Sequence, residues 1–197
     1  MSLLRAWRRT ASCHLRAVSG VCLLIGALLL SSRFETSAQA AIRPEQLKAA
    51  FLFRFAQFTQ WPPEAFSAPG SPLVLGILGE DPFGEYLDEI VRGEQVQDRP
   101  FVIQRYRRFS EMRTCHVLFI SPSETARLDQ ILAALGDRSI LTVAEAEGFA
   151  GRGGMIEIIN SEGRIRLRIN PAAAKAARLT LSSKLLRPAE IVETRRE

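Results

Sequence analysis

The sequence predicts an α/β fold, a single three-layer sandwich domain whose mostly parallel sheet carries a C-terminal antiparallel hairpin. Three observations support that expectation. From Leu73 to Gly136, apolar runs of strand length alternate with segments of helical spacing, the pattern of parallel strands joined by crossover helices. The runs "LVLGIL" (73–78) and "CHVLFI" (115–120) are apolar at nearly every position, as strands covered on both faces are. "MIEIIN" and "RIRLRIN" are short and stand either side of Ser161-Glu162-Gly163, which marks a hairpin.

Residues 1–40 stand apart from this pattern. Arg5, Arg8, Arg9 and Arg16 make a positive start, Val21–Leu30 is an apolar run of ten, and "SAQA" (37–40) offers an Ala-x-Ala cleavage site. A spanning helix needs roughly 20 apolar residues. Residues 1–40 are therefore expected to be a cleaved secretory signal peptide, and residues 41–197 the exported domain.

The next stretch, "AAFLFRFAQFTQWPPEAF" (49–66), is too short between Ala49 and Thr59, and too interrupted by Arg54, to be a membrane span. On a helical wheel Leu47, Phe51, Phe55 and Phe58 share one side with Leu52 beside them, which predicts a core helix. Arg54 falls on that same side, where it needs a carboxylate or carbonyl partner. Phe53 falls opposite, among Gln46, Gln57 and Gln60, and is a candidate partner contact as well as an ordinary surface aromatic.

Leu73–Leu78 follows as a buried strand. Asp81 then caps a helix with Pro82 in its first turn, Phe83, Leu87, Ile90 and Val91 on its apolar stripe and Gly93 at its end. "FVIQRY" (101–106) and "CHVLFI" (115–120) are the second and third strands. "SPSE" (121–124) is a capping box ahead of the stripe Leu128, Ile131, Leu132 and Leu135. "ILTV" (140–143) is the fourth strand. The glycine-rich "GRGG" (151–154) leads to the hairpin, after which Asn170 and Pro171 open an alanine-rich helix.

Charge and cysteine exclude some classes of function. The whole chain carries +5, but without residues 1–40 it holds 21 basic and 20 acidic residues, so no nucleic-acid partner is expected. Only Cys115 lies beyond the leader, and one thiol closes no bridge within its own chain; it is either a buried small side chain or half of an intermolecular disulfide. His116 is the single histidine of the domain. Next to Cys115 on a strand it points to the other face, so neither a thiol–imidazole pair nor a metal site is expected. No cofactor motif and no placed pair of carboxylates is present, which argues against an enzyme.

Two features remain as candidate sites. "GILGEDPFG" puts Gly79, Glu80, Asp81 and Gly84 between a strand and a helix, where a small ligand would sit, although the spacing matches neither dinucleotide nor P-loop patterns. In the hairpin, Arg164, Arg166 and Arg168 alternate with Ile165, Leu167 and Ile169, with Glu157 opposite to neutralise one of them. That row is either a solvated strand face or a surface that receives acidic groups.

"AAFLFRFAQFTQWP", "LVLGILGEDPFG", "CHVLFIS", "ILTV", "FAGRGGMIEI", "GRIRLRIN" and "LSSKLL", in this order, closely resemble the YfiR family of periplasmic proteins. The resemblance implies a compact α/β domain, commonly a homodimer, without catalytic activity. It implies a repressor that binds the periplasmic domain of an inner-membrane diguanylate cyclase, lowering cyclic-di-GMP and biofilm or exopolysaccharide production. It also implies sequestration by an outer-membrane lipoprotein. The chain departs from relatives that carry several cysteines, which removes redox control through an internal bridge. The alternative expectation is a periplasmic small-molecule sensor using the loop at Gly76–Gly84.

Overall fold

A computed structural model describes residues 43–161 and 164–194. The first element is helix α1 (Pro44–Gln57), with proline in the opening turn, where its missing N–H leaves no bond unmade. Its buried side is Lys48, Ala49, Leu52, Phe55 and Ala56, which keeps Leu52 and Phe55 of the expected stripe but is rotated so that Phe51 and Phe58 are only half-buried. Leu47 is 40% exposed, and Arg54 lies in solvent with Gln57 Oε1 at 3.4 Å. Arg54 therefore needs no buried counter-charge. The charge on the buried face is Lys48, and its ammonium is held at 2.7 Å by Glu145. Phe53 is half-buried, its ring centroid 5.5 Å from that of Phe101, which corrects the expectation of a lone exposed aromatic.

The central elements follow as β2 (Leu73–Leu78), α2 (Glu85–Val91), β3 (Gln95–Val96), β4 (Arg99–Tyr106), β5 (Val117–Ile120), α3 (Leu128–Leu135) and β6 (Leu141–Ala144). Then come β7 (Ile156–Ser161), β8 (Arg164–Ile169), α4 (Pro171–Ala176), α5 (Ser183–Leu186) and β10 (Glu190–Ile191). Two-residue strands β1 (Thr59–Gln60) and β9 (Thr180–Leu181) pair with each other outside the main sheet. The main sheet runs β10-β8-β7-β6-β5-β2-β4-β3. Its pairs are parallel except β3 with β4 and β7 with β8. The class is mixed α/β with a mostly parallel sheet, as expected. The antiparallel pair is not the last strand pair, because β10 adds itself parallel to the far side of β8.

Local bonding moves several boundaries. Asp81 Oδ1 accepts the Phe83 N–H at 2.7 Å, so it closes a turn, and α2 starts only after Gly84 at φ 56°. The Ser123 hydroxyl is drawn to the Glu80 N–H at 3.0 Å. Ser121 caps a 3-10 segment, Pro122–Arg127, and α3 proper begins at Leu128. Cys115 and His116 stand just ahead of β5 rather than on it. Gly76 sits in the middle of β2 because a Cβ there would meet Cys115 Sγ and Tyr106 Cε2, each at 2.8 Å.

Side-chain alternation along the strands divides the interior in two. Leu73, Leu75, Ile77, Val117, Phe119, Leu141, Val143, Ile156 and Ile158 face one way, into a core with residues of α1, α2, α4 and α5. Leu78, Leu118, Ile120 and Ala144 face the other way, onto Leu128, Ile131 and Leu135 of α3. No residue of β7, β8 or β10 belongs to that second cluster. Among the described residues, apolar packing on both faces is thus confined to the centre of the sheet, and no residue of the β7–β8 pair contributes to the second core.

Candidate functional site

That face presents the arginine row. In register, Arg164 lies opposite Ser161, Arg166 opposite Ile159 and Arg168 opposite Glu157. Arg164 and Arg166 are exposed, and among the described residues neither has a carboxylate within ion-pair distance. Arg168 differs from both. Its guanidinium reaches Glu157 at 3.4 Å and Glu190 at 3.0 Å, and the bond to Glu190 raises its pKa. Glu157 is 1% exposed and also accepts the N–H groups of Gly148 and Ala150, each at 3.1 Å. The expected neutralisation by Glu157 falls on Arg168, which is built into the fold, while Arg164 and Arg166 remain available. Ile165, Leu167 and Ile169 point into the first core or pack against it.

Phe53 does not share this face. It packs with the first core, on the opposite side of the sheet from the arginines.

The Gly79–Gly84 loop is tied down by its own groups. The Gly79 N–H donates to the Tyr106 carbonyl at 2.9 Å and the Glu80 N–H to Ser123. Gly79 holds φ 90°, and a Cβ on it would collide with Ser123 and Glu124. Arg105, on β4, donates to Asp81 at 2.7 Å, to both oxygens of Asp88 at 3.0 and 2.7 Å, and to the Gly84 carbonyl at 3.2 Å. That contact holds the Asp88 carboxyl below the usual carboxylate range. Asp88 lies on α2. Its partner lies 17 positions away on a strand, beyond the reach of helical spacing.

Cys115 and His116 are structural. The thiol is free and buried, its hydrogen directed at the Val117 carbonyl at 3.0 Å, and burial pushes it up to about 12. His116 Nδ1 accepts the Val74 N–H at 3.0 Å, so in the neutral ring Nε2 carries the proton and donates to the Ala65 carbonyl at 3.1 Å. Burial lowers the pKa of this ring, which stacks on Phe66 at 4.6 Å. Trp61 in turn donates to the His116 carbonyl at 3.2 Å. Among the described residues no group of three His, Cys, Asp or Glu side chains converges as a metal site would require.

A groove of about 740 Å³ that sequence reasoning missed lies beside Trp61, with Phe58, Gln97, Ser182 and Lys184 on its walls. The β1–β9 pairing creates it by setting Thr59 against Leu181, and the Lys184 ammonium stands 5.9 Å from the Phe58 ring centroid. Only the stretches "FTQWP" and "LSSKLL" hinted at it, and nothing local in either says that they meet.

The YfiR/HmsC-like family matches residues 45–190, well over half of the chain. The chain belongs to this family. Among curated proteins none matches it. In this YfiR/HmsC-like chain the matched residues run from α1 to β10 and take in the arginine face, the Gly79–Gly84 loop and the Trp61 groove. Among the described residues no helix is long and apolar enough to cross a membrane.

Proposed function

We propose that this YfiR/HmsC-like protein is a periplasmic regulator that binds the periplasmic domain of an inner-membrane diguanylate cyclase and holds it inactive. Cyclic-di-GMP, and with it biofilm and exopolysaccharide production, would fall as a result. Membership of the family supports the regulatory class. Repression without chemistry requires a protein that binds one conformation of its target better than the other. The observation that supports the choice of surface is the β7–β8 face turned away from the first core, where Arg164 and Arg166 are exposed without ion-pair partners among the described residues. Such a face suits an acidic surface, and like charges set across it would oppose binding strongly. An outer-membrane lipoprotein that covered the same face would relieve repression, and a homodimer that left it open would be compatible with it.

The test is capture of the cyclase's periplasmic domain by the Arg164→Glu/Arg166→Glu double variant, with Arg168 left in place because Glu157 depends on it. Binding is expected to weaken by about tenfold or more with an unchanged melting temperature. Undiminished capture by the folded variant would remove this face from the interface. The alternative, a small-molecule sensor reading its ligand at Gly79–Gly84, has less support because the Gly79 and Glu80 amides already have acceptors.

A further inference from the structure

At the end of the main sheet away from β8, the edge is closed only in part. β3 turns back onto β4 through Gln97 and Asp98, both with positive φ, and pairs with Arg99 and Pro100. Glu94 adds one more bond, its carbonyl accepting the Phe101 N–H at 3.0 Å. Before Glu94 the chain comes from α2 through Gly93, so nothing continues β3 along its neighbour. Val102–Tyr106 is therefore paired with β2 on one side and, among the described residues, with no strand on the other.

Two bonds fix which backbone groups are left open. The Phe101 N–H points outward, to Glu94, and the Tyr106 carbonyl points inward, to the Gly79 N–H that follows β2. Direction alternates along a strand, so Ile103 and Arg105 carry their N–H and C=O outward. Natural edges are guarded by proline, lysine, a bulge or a projecting charge. This one lacks them. Val102–Tyr106 contains no proline or lysine, and its register with β2 is unbroken. Its one charge, Arg105, is drawn onto Asp81 and Asp88 at 2.7 Å each.

We propose that this edge pairs with the same edge of a second copy, the two β4 strands running antiparallel about a two-fold axis at Gln104. In that register Ile103 exchanges two backbone bonds with Arg105 of the second copy, and Arg105 does the same with Ile103, so every open group is used. A residue on a two-fold axis meets itself and must be self-complementary. Gln104 is exposed, its Oε1 accepts the Tyr106 hydroxyl, and its Nε2 has no acceptor among the described residues. That Nε2 donates to the amide oxygen opposite, which has a second lone pair to offer. The stem of Arg105 covers half-buried Ile103 across the pair. A charged peptide would find no free counter-charge on these five residues. The strand pair alone buries less than the roughly 1,200 Å² of a stable complex, so association is reversible. The arginine face on β8, at the far end of the sheet, stays open on both copies, and the pairing does not depend on the partner proposed for it.

The test is sedimentation velocity of the purified protein over a concentration series reaching about 1 mM, with amide exchange followed by NMR across the same series. A dimer is expected to form as concentration rises, and exchange at the Ile103 and Arg105 amides to slow with it. Ile103→Pro removes an outward N–H and leaves the bonds to β2 in place, so the melting temperature should stay near that of the parent. Its association constant should fall by about tenfold or more. Gln104→Lys sets two ammonium groups together on the axis and should weaken association likewise. Protein that stays monomeric throughout, exchange at these two amides that does not slow, or a dimer that both folded variants form as readily as the parent would overturn the assignment.

Discussion

His116 joins segments that are far apart in the chain: its Nδ1 takes the Val74 N–H, 42 positions away, and its Nε2–H goes to Ala65, 51 positions away. A structural role for the only histidine of the domain was legible from the sequence. The bonding was not, because neither partner is local. Burial disfavours the imidazolium, and protonation would also turn the Nδ1 acceptor into a donor facing the Val74 N–H. The folded-state pKa is therefore depressed below the ordinary value of about 6.5. Below about 6.5 the unfolded chain binds a proton that the folded chain refuses, so stability is intact above that pH and is lost as pH falls toward the depressed value. The melting temperature is expected to begin to decline as pH falls below about 6.5, before most carboxylates titrate. In His116→Gln the protein should be less stable at neutral pH, and that decline should be absent. A decline of the same size in the variant would assign it to other groups.

At the scale of elements, α1 and the hairpin show two degrees of legibility. Phenylalanine and leucine surround α1 on nearly every side, so helical spacing identified the element but not its orientation. The orientation follows from Lys48 meeting Glu145, a contact 97 positions apart. The hairpin was legible in detail because a strand has period two, and charge alternating with Ile and Leu leaves only one side free to face solvent. What the alternation does not reveal is that its three arginines are unequal. Arg168→Glu would set a carboxylate beside buried Glu157 and beside Glu190, and is expected to lower the melting temperature clearly. The Arg164→Glu/Arg166→Glu pair should leave it nearly unchanged. Glu157→Ala would leave the Gly148 and Ala150 N–H groups unpaired, at about 1–3 kcal/mol each, measurable by denaturant unfolding. Equal loss of stability for all three arginines would mean that Arg168 is as free as its neighbours.

At the scale of the whole molecule, the central strands were legible because their apolar runs carry a signal of their own. Strands β1, β9 and β10 were not, since two residues have no period and their pairing depends on what the rest of the fold brings near. Residues 1–40 lie outside the described residues, and we propose from their sequence that they are a cleaved leader. A regulator acting in the periplasm must be exported, and a ten-residue apolar run after four arginines is enough to direct export but is about half the length needed to remain as a span. Cleavage after Ala40 would leave α1 whole and convert a chain of net charge +5 into a nearly neutral domain. N-terminal sequencing of protein released from the periplasm is expected to begin at Ala41. Replacing Ala38 and Ala40 with bulky residues should block processing and hold the protein in the membrane fraction. If the unaltered protein is found there with Leu3–Leu30 still attached, it acts as an anchored regulator, and the hairpin face would meet the cyclase from a tether instead of by diffusion.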